Sequence, residues 1–134
     1  MTKAWVRATG TQISPNGAKT VELATEAEIF KNIDDCYIVY KNDSDMTTTL
    51  KIQKDRVDIF NNGRYNSRMV FEKDKKHITP YMTESGVSDL GIIGKNMHMD
   101  LRTTGGELDM SYHLLLDDKY IGTNELKMIV REVN

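Results

Sequence analysis

The sequence predicts an all-β protein, and two observations carry this prediction. Apolar and polar residues alternate along many short segments, a period of two that is typical of strands with one buried face. Clusters of Gly, Pro, Asn, Asp and Ser separate these segments at nearly regular spacing. About ten short strands without a linker predict a sandwich or a closed barrel. Closure would remove the sheet edges that favour aggregation.

The first two strands are predicted on either side of a strong turn. Residues 3–13 alternate small apolar with polar side chains, and the turn sequence SPNGA follows at 14–18. The segment 21–30, VELATEAEIF, contains good helix formers, so a helix is the alternative there. Its apolar residues nevertheless alternate strictly with glutamates, and we therefore predict a strand.

The middle of the chain predicts shorter strands joined by polar turns. They are Cys36–Lys41, Thr47–Lys54, Arg56–Phe60, Tyr65–Glu72, His77–Thr83 and a short segment at Leu90–Ile93. Gly91 and Gly94 flank the two isoleucines of the last segment, which indicates a bend or bulge rather than a smooth strand.

The last third of the chain predicts three consecutive antiparallel strands. The first two cover 97–103 and 107–116, and the third carries Leu126, Met128 and Val130 on its apolar face. The alternation of faces requires an odd loop before this third strand, such as the three residues 117–119.

The first of these hairpins has two candidate registers. A turn at Gly105-Gly106 suits a type I′ hairpin, where both central residues need positive φ. It predicts the pairs Met99–Tyr112, Leu101–Met110 and Arg102–Asp109. A turn at Thr104-Gly105 would instead place Asp100 opposite Asp109, and like charges directly opposite are destabilising. We therefore prefer the Gly-Gly turn.

Composition restricts the class of protein. At 134 residues, the chain fits a single domain over 1–134. A net charge of −2 argues against nucleic acid as a partner, and no apolar run approaches the roughly 18 residues that a membrane span needs. The lone Cys36 cannot form an internal disulfide, and the N-terminus lacks an apolar signal core. We therefore expect a cytoplasmic protein.

Several motifs together resemble a known family. They are YIVYKND (37–43), TTTLKIQKDRVDIFNNG (47–63), PYMTESG (80–86), GELDMSYHLLLD (106–117) and a final LKMIVRE. This pattern, from about Val21 to Glu132, resembles the YwiB-like family, bacterial proteins of unknown function. The positions that match are Tyr40, Gly63, Tyr81, Thr83, Gly86, Gly106 and Tyr112. The family usually has Arg in the turn before the glycine matched by Gly63, whereas this chain has Asn61-Asn62.

The resemblance implies an antiparallel lipocalin-like (calycin) β-barrel of about eight to ten strands, in agreement with the strand count. It implies no activity, because the family has none assigned. Calycins in general hold apolar small molecules in the barrel, which is an analogy of fold. Many also pack a Trp near the chain start against a basic residue of the last strand. Trp5 and Arg131 fit this arrangement, although Lys3 stands where a lipocalin has Gly.

The leading functional hypothesis concerns the barrel interior. Its predicted lining is Tyr40, Met69, Phe71, Tyr81, Met82, Met97, Met99, Met110, Tyr112 and Met128. Methionine fills irregular volumes, so such a wall can adapt to an apolar small molecule. The alternative is a fully packed barrel that serves as a non-enzymatic interaction or assembly module, with a homodimer as one form.

The sequence gives little support for a metal site or for catalysis. In the preferred register His98 faces His113 with Glu125 nearby, a donor set that zinc accepts, but two unrelated histidines on a solvated face are the simpler interpretation. We therefore predict no metal and no cofactor. Cys36 begins an apolar strand, and no nucleophile elbow or phosphate-binding loop is present, so the sequence favours a non-enzymatic function. Leu115 and Ile129 interrupt the polar outer face and are candidates for a dimer contact.

Overall fold

The described chain consists almost entirely of β-strands. The computed structural model describes residues 2–42, 45–63, 66–102 and 104–133. Its strands are β1 (Thr2–Ser14), β2 (Gly17–Lys31), β3 (Cys36–Lys41), β4 (Thr47–Ile52), β5 (Arg56–Asn62), β6 (Ser67–Glu72), β7 (Lys76–Thr83), β8 (Gly86–Arg102), β9 (Gly105–Leu116) and β10 (Lys119–Glu132). The predicted strand start at Tyr65 and strand end at Thr103 lie outside the described residues.

The strands form one antiparallel sheet that curls into a nearly closed barrel. Each strand pairs with the next in sequence, except that β6 and β7 are the two ends of the sheet, and β1 pairs with β10. Isolated bridges Glu72–Lys75 and Lys73–Gly94 join the end of β6 to the other side of the barrel. We call this junction of β6 with β7 and β8 the seam. The predicted antiparallel barrel is confirmed.

The ambiguous segment 21–30 is a strand, as its alternation predicts, and the helical alternative is wrong. It belongs to β2, which pairs with β1 from Gly17 to Ile29 and with β3 at its end. Ala27 and Ile29 are buried on one face, whereas Glu22 and Glu26 are exposed on the other. A helix would scatter these residues around its circumference and would lose this single apolar face.

A β-bulge follows the glycines of β8, which is a continuous strand rather than two segments. The pairing with β9 shifts by one residue between Gly94 and Asn96. A Cβ at Gly94 would lie 2.6 Å from the carbonyl oxygen of Glu72, and the amide of Asp74 donates to the Gly94 carbonyl at 2.7 Å. Glycine is therefore needed at position 94 because the end of β6 passes directly against β8.

The predicted register of the β8–β9 hairpin is wrong. The last pair of the hairpin is Arg102–Gly105, and both Gly105 and Gly106 lie inside β9. The observed pairs are Met99–Leu108, Leu101–Gly106, Arg102–Gly105 and His98–Asp109. The faces are unchanged, because the pairing has moved by an even number of residues.

Close backbone approach explains this register better than turn chemistry does. Gly105 and Gly106 have φ of 125° and 150°. A Cβ at either position would collide with a carbonyl oxygen of the neighbouring strand, that of Val130 or Asp100 respectively. The observed register also places Asp100 opposite Glu107, so the like-charge penalty used to choose between the registers is outweighed.

Replacing Gly106 by Ala is therefore expected to lower the free energy of unfolding by about 1–3 kcal/mol, because the new Cβ forces the backbone of two strands apart. Gly10→Ala is the matched control, since a Cβ there meets nothing within 4 Å. Its effect should stay within about 0.5 kcal/mol. Urea unfolding of both variants checks this, and equal losses would contradict the close approach at Gly106.

The β9–β10 connection contains an odd number of unpaired residues, as predicted, but they are not all in the loop. Asp117 and Asp118 form a two-residue turn with φ of 48° and 69°, the positive values that a type I′ turn requires. A bulge between Tyr120 and Gly122 then supplies the extra residue. The predicted three-residue loop at 117–119 is therefore wrong, although the face of the following strand is as predicted.

Unequal strand lengths give the barrel one open end. Strands β3 to β6 have 6 or 7 residues, whereas β1, β2, β8, β9 and β10 have 12 to 17. The long strands therefore project past the short ones. We call the inner face of the projecting part, which carries Val21, Leu23, Tyr112, Leu114 and Leu126, the open end.

Candidate functional site

Most of the predicted lining residues lie in the barrel interior. They belong to one apolar cluster with the buried residues of the sheet: Tyr40, Met69, Phe71, Met97, Met99, Met110, Tyr112 and Met128. Phe71, Met110 and Met128 are almost completely buried, and the Phe71 ring meets the Tyr112 ring edge-on at a centroid distance of 4.7 Å. This part of the interior is filled by its own side chains.

The prediction that Tyr81 and Met82 line the interior is wrong. Tyr81 is 50% exposed and Met82 is 64% exposed. Both lie near the tip of the β7–β8 hairpin, where β8 has not yet begun to pair with β9 and β7 has no further strand beside it. No facing layer covers the tip, so the alternation of the segment does not lead to burial there.

Burial decreases toward the open end. Leu23, Tyr112, Leu114 and Leu126 are only partly buried, although they pack against the buried cluster. Val21, one pair further along the same face, is 63% exposed. These five side chains leave apolar surface uncovered on the inner side of the sheet.

The polar groups of the barrel interior include two tyrosine phenols, those of Tyr112 and Tyr40. Burial raises the pKa of the Tyr112 phenol, and an interaction with the Asn124 side chain lowers it in part. Burial likewise raises the pKa of Tyr40, which the Thr48 hydroxyl partly offsets. Both phenols are therefore neutral at physiological pH and can donate. Asn124 lies opposite Tyr112, and its buried Oδ1 has no hydrogen-bond partner among the described residues.

A cleft opens beside Tyr40, where β3 ends next to the longer β2. Its volume is about 640 Å³, and its walls include Thr25, Ala27, Tyr40 and Thr47. Charged residues surround the cleft: Lys3, Glu26, Glu28 and Lys41. The cleft therefore gives a predicted interior residue, Tyr40, a lateral opening to solvent.

The sequence did not indicate a second cluster, which lies on the outer face at the seam. Asp58 is 3% exposed although its neighbours on β5 fill the core. It accepts hydrogen bonds from Arg56 Nε at 2.7 Å and from Arg68 Nη2 at 2.8 Å. Burial raises the pKa of Asp58, but these two guanidinium groups more than offset it and hold the pKa below its ordinary value. Arg56 and Asp58 share one face of β5, and the β5–β6 pairing brings Arg68 to them.

The cluster continues across the seam through Glu72. Its carboxylate accepts from His77 Nε2 at 2.9 Å and from Arg56 Nη1 at 3.4 Å, and it pairs with Lys75 at 3.5 Å. Burial raises the pKa of Glu72, and these partners offset it, so that the pKa lies below its ordinary value. Because β6 and β7 share no strand ladder, the side chains tie the two ends of the sheet together.

The predicted histidine pair does not form. His98 lies opposite Asp109, and His113 lies between Ile93 and Thr123. The four-residue difference in register has separated the two rings along the sheet. Among the described ranges, no group of three potential ligands from His, Cys, Asp and Glu could hold a metal ion.

The remaining surface predictions have mixed outcomes. Trp5 and Arg131 are direct cross-strand partners, as the resemblance implies, but the indole lies on the outer face and is half exposed. Leu115 pairs with Tyr120, whereas Ile129 pairs with Glu107, so these two apolar residues are far apart along the sheet. The two side chains therefore do not form one continuous apolar patch, and the dimer contact stays a prediction.

Cys36 lies buried at the start of β3. Burial raises the pKa of its thiol, and the charge of Lys31 lowers it only in part. The thiol is therefore protonated at neutral pH, which agrees with the prediction of a small buried apolar side chain.

Comparison with other proteins supplies the family. The family model for the domain of unknown function DUF1934 matches residues 6–128. The fold is similar to the crystal structure of ywiB protein from Bacillus subtilis, with a TM-score of 0.86 and 15% sequence identity over 99% of this chain and 93% of that chain. No curated protein matches the sequence significantly. The described residues include no helix long and apolar enough to cross a membrane. The chain therefore belongs to the DUF1934 family, the YwiB-like family that its motifs resemble.

Proposed function

We propose that the protein is a non-enzymatic binding barrel that holds an apolar small molecule at its open end. One observation carries the proposal: the apolar side chains of the open end continue the core cluster but are left partly uncovered. Covering such surface stabilises a complex by roughly 25 cal/mol per Å². A molecule seated there would extend the core, and the methionines of the cluster can adjust their packing to it.

The few polar groups define the chemistry of the ligand. The neutral Tyr112 phenol and the unpartnered Asn124 oxygen lie among apolar side chains. Binding sites of this kind use a small number of polar groups to orient a largely apolar ligand. We therefore infer a ligand with an apolar body and one hydroxyl or amide group, which could donate to Asn124 if that side chain turns toward it.

The cytoplasm is the compartment that we propose for this function. The single Cys36 is buried as a thiol, and the chain has no second cysteine with which to form a disulfide. Disulfides are characteristic of small secreted proteins, so this usage is typical of a protein in a reducing compartment.

Titration with the neutral fluorophore N-phenyl-1-naphthylamine tests the site. Val21→Lys is expected to weaken binding by about tenfold or more, because it places an ammonium group beside the ligand. Ile129→Lys is the matched control, since Ile129 is also exposed and apolar but lies on the outer face, and it should leave binding unchanged. Equal binding by both variants, or no binding by the unchanged protein, would overturn the proposal.

A homodimer is the second candidate, and one surface favours it. Met82 and Val87 are cross-strand partners at the tip of the β7–β8 hairpin, and both are about two-thirds exposed. Ile78, on the same side of β7, is also exposed. A second copy that covers this tip would bury all three side chains. A dimeric mass under non-denaturing conditions supports this candidate.

A further inference from the structure

A cleft at the seam has the composition of an anion site. It has a volume of about 390 Å³ and lies between the outer face of β5 and β6 and the strand β7. Arg56 and Arg68 line one wall, His77 and Thr79 line the other, and Val70 and Ile78 contribute apolar surface. The cleft is separate from the open end, which is on the inner side of the barrel.

Positive charge exceeds negative charge around this cleft. Within the described part of the chain, the ion pairs of Arg56, Arg68 and Lys75 involve two carboxylates, those of Asp58 and Glu72. Asp58 is buried beneath the two arginines and holds both guanidinium groups in place. The carboxylate therefore positions the arginines without neutralising them fully.

The arginines also keep unused hydrogen-bond donors. A guanidinium group carries five N–H donors. The Arg68 guanidinium uses one of them, on Asp58, and makes no other hydrogen bond with the side chains of the described residues. Its side chain is 54% exposed, and its guanidinium carbon lies 5.3 Å from the centroid of the Phe60 ring, within the range of a cation–π contact. A planar donor set of this kind suits carboxylate and phosphate groups.

We propose that this cleft binds a small organic anion. Its carboxylate or phosphate group accepts hydrogen bonds from Arg68 and Arg56, and its apolar part contacts Val70 and Ile78. The hydroxyl of Thr79 and the ring of His77 complete the polar wall. The volume is sufficient for a ligand of about the size of a substituted aromatic ring, at the lower end of small-molecule sites.

Calorimetric titration of the full chain at low ionic strength tests the proposal with three probes: benzoate, phenyl phosphate and neutral benzyl alcohol. We expect at least one of the two anions to bind, and benzyl alcohol to bind at least tenfold more weakly. The relative affinity of the two anions decides between a carboxylate and a phosphate ligand. Amide chemical-shift changes should be confined to β5, β6 and β7.

Two variants locate the binding. Arg68→Gln should weaken anion binding by about tenfold or more, because it removes a charge and the donor fork. Arg102→Gln removes an exposed arginine outside the cleft and should have no effect. Circular dichroism confirms that each variant is folded. The proposal is overturned if the anions bind no better than benzyl alcohol, if both variants bind equally, or if the shifts fall elsewhere.

Discussion

Replacing Asp58 by Asn is expected to lower the free energy of unfolding by about 2–4 kcal/mol. The carboxylate is buried, and it accepts charged hydrogen bonds from Arg56 and Arg68. An amide of the same shape keeps one acceptor but brings an NH₂ group toward the two guanidinium groups. The two guanidinium groups then lose the buried counter-charge that they share.

Urea unfolding measures this loss, and Asp100→Asn is the control. Asp100 is exposed, and its carboxylate lies 3.8 Å from Arg102, a surface pair that contributes little. The control should change stability by less than about 0.5 kcal/mol. If Asp58→Asn had an equally small effect, the seam cluster would not contribute to stability and its assigned role would be wrong.

The same cluster should dominate the acid side of the stability profile. The folded-state pKa of Asp58 and that of Glu72 both lie below the ordinary values of 3.8 and 4.5. The unfolded chain therefore binds protons first as the pH falls. The stabilisation is fully present above the ordinary values and is lost as the pH falls through the lowered folded values. Asp58→Asn should show a shallower decline of stability in this range.

Replacing Phe71 by Ala is expected to cost about 3–5 kcal/mol. Phe71 is the largest fully buried side chain among the described residues, and its ring contacts that of Tyr112 on β9. The loss combines the transfer of the ring to water with a cavity that the surrounding side chains cannot fill. Phe60→Ala is the control, because Phe60 lies partly buried on the outer face of β5, and it should cost clearly less.

The Phe71→Ala variant also distinguishes a packed barrel interior from a hollow one. In a hollow barrel the substitution would remove only the transfer free energy of the ring, roughly 1.5–3 kcal/mol, because no new cavity would form. Thermal or urea unfolding of the Phe71→Ala and Phe60→Ala proteins gives the comparison. Equal losses for the two would contradict the packing of Phe71 in the core.

The strands could be predicted from the sequence because alternation is a local property. The segment 21–30 kept its glutamates on one face and became a strand despite its helical composition. Pairing register was harder, because the Gly105-Gly106 pair satisfies both a turn and a close strand crossing. The carbonyl groups of Val130 and Asp100 decide between the turn and the close strand crossing. They lie on the two neighbouring strands, β10 and β8, so the local sequence does not show them.

The candidate sites also differ in how far the sequence could predict them. The interior residues could be predicted, because alternation places Met99, Met110 and Met128 on one side of their strands. The partial exposure of Leu126 and its neighbours depends on where the short strands end across the barrel. The Asp58 cluster depends on the β5–β6 pairing and on the covering strand β7, and the local sequence contains only its Arg56–Asp58 pair.

Native mass spectrometry of the protein isolated from its own cells tests the central proposal, a ligand at the open end, most directly. We expect the chain to carry a non-covalent small molecule that organic solvent extracts, and we expect Val21→Lys protein to carry much less of it than Ile129→Lys protein. A mass of the bare chain alone, or of its bare dimer, would contradict a binding barrel and would favour the packed assembly module.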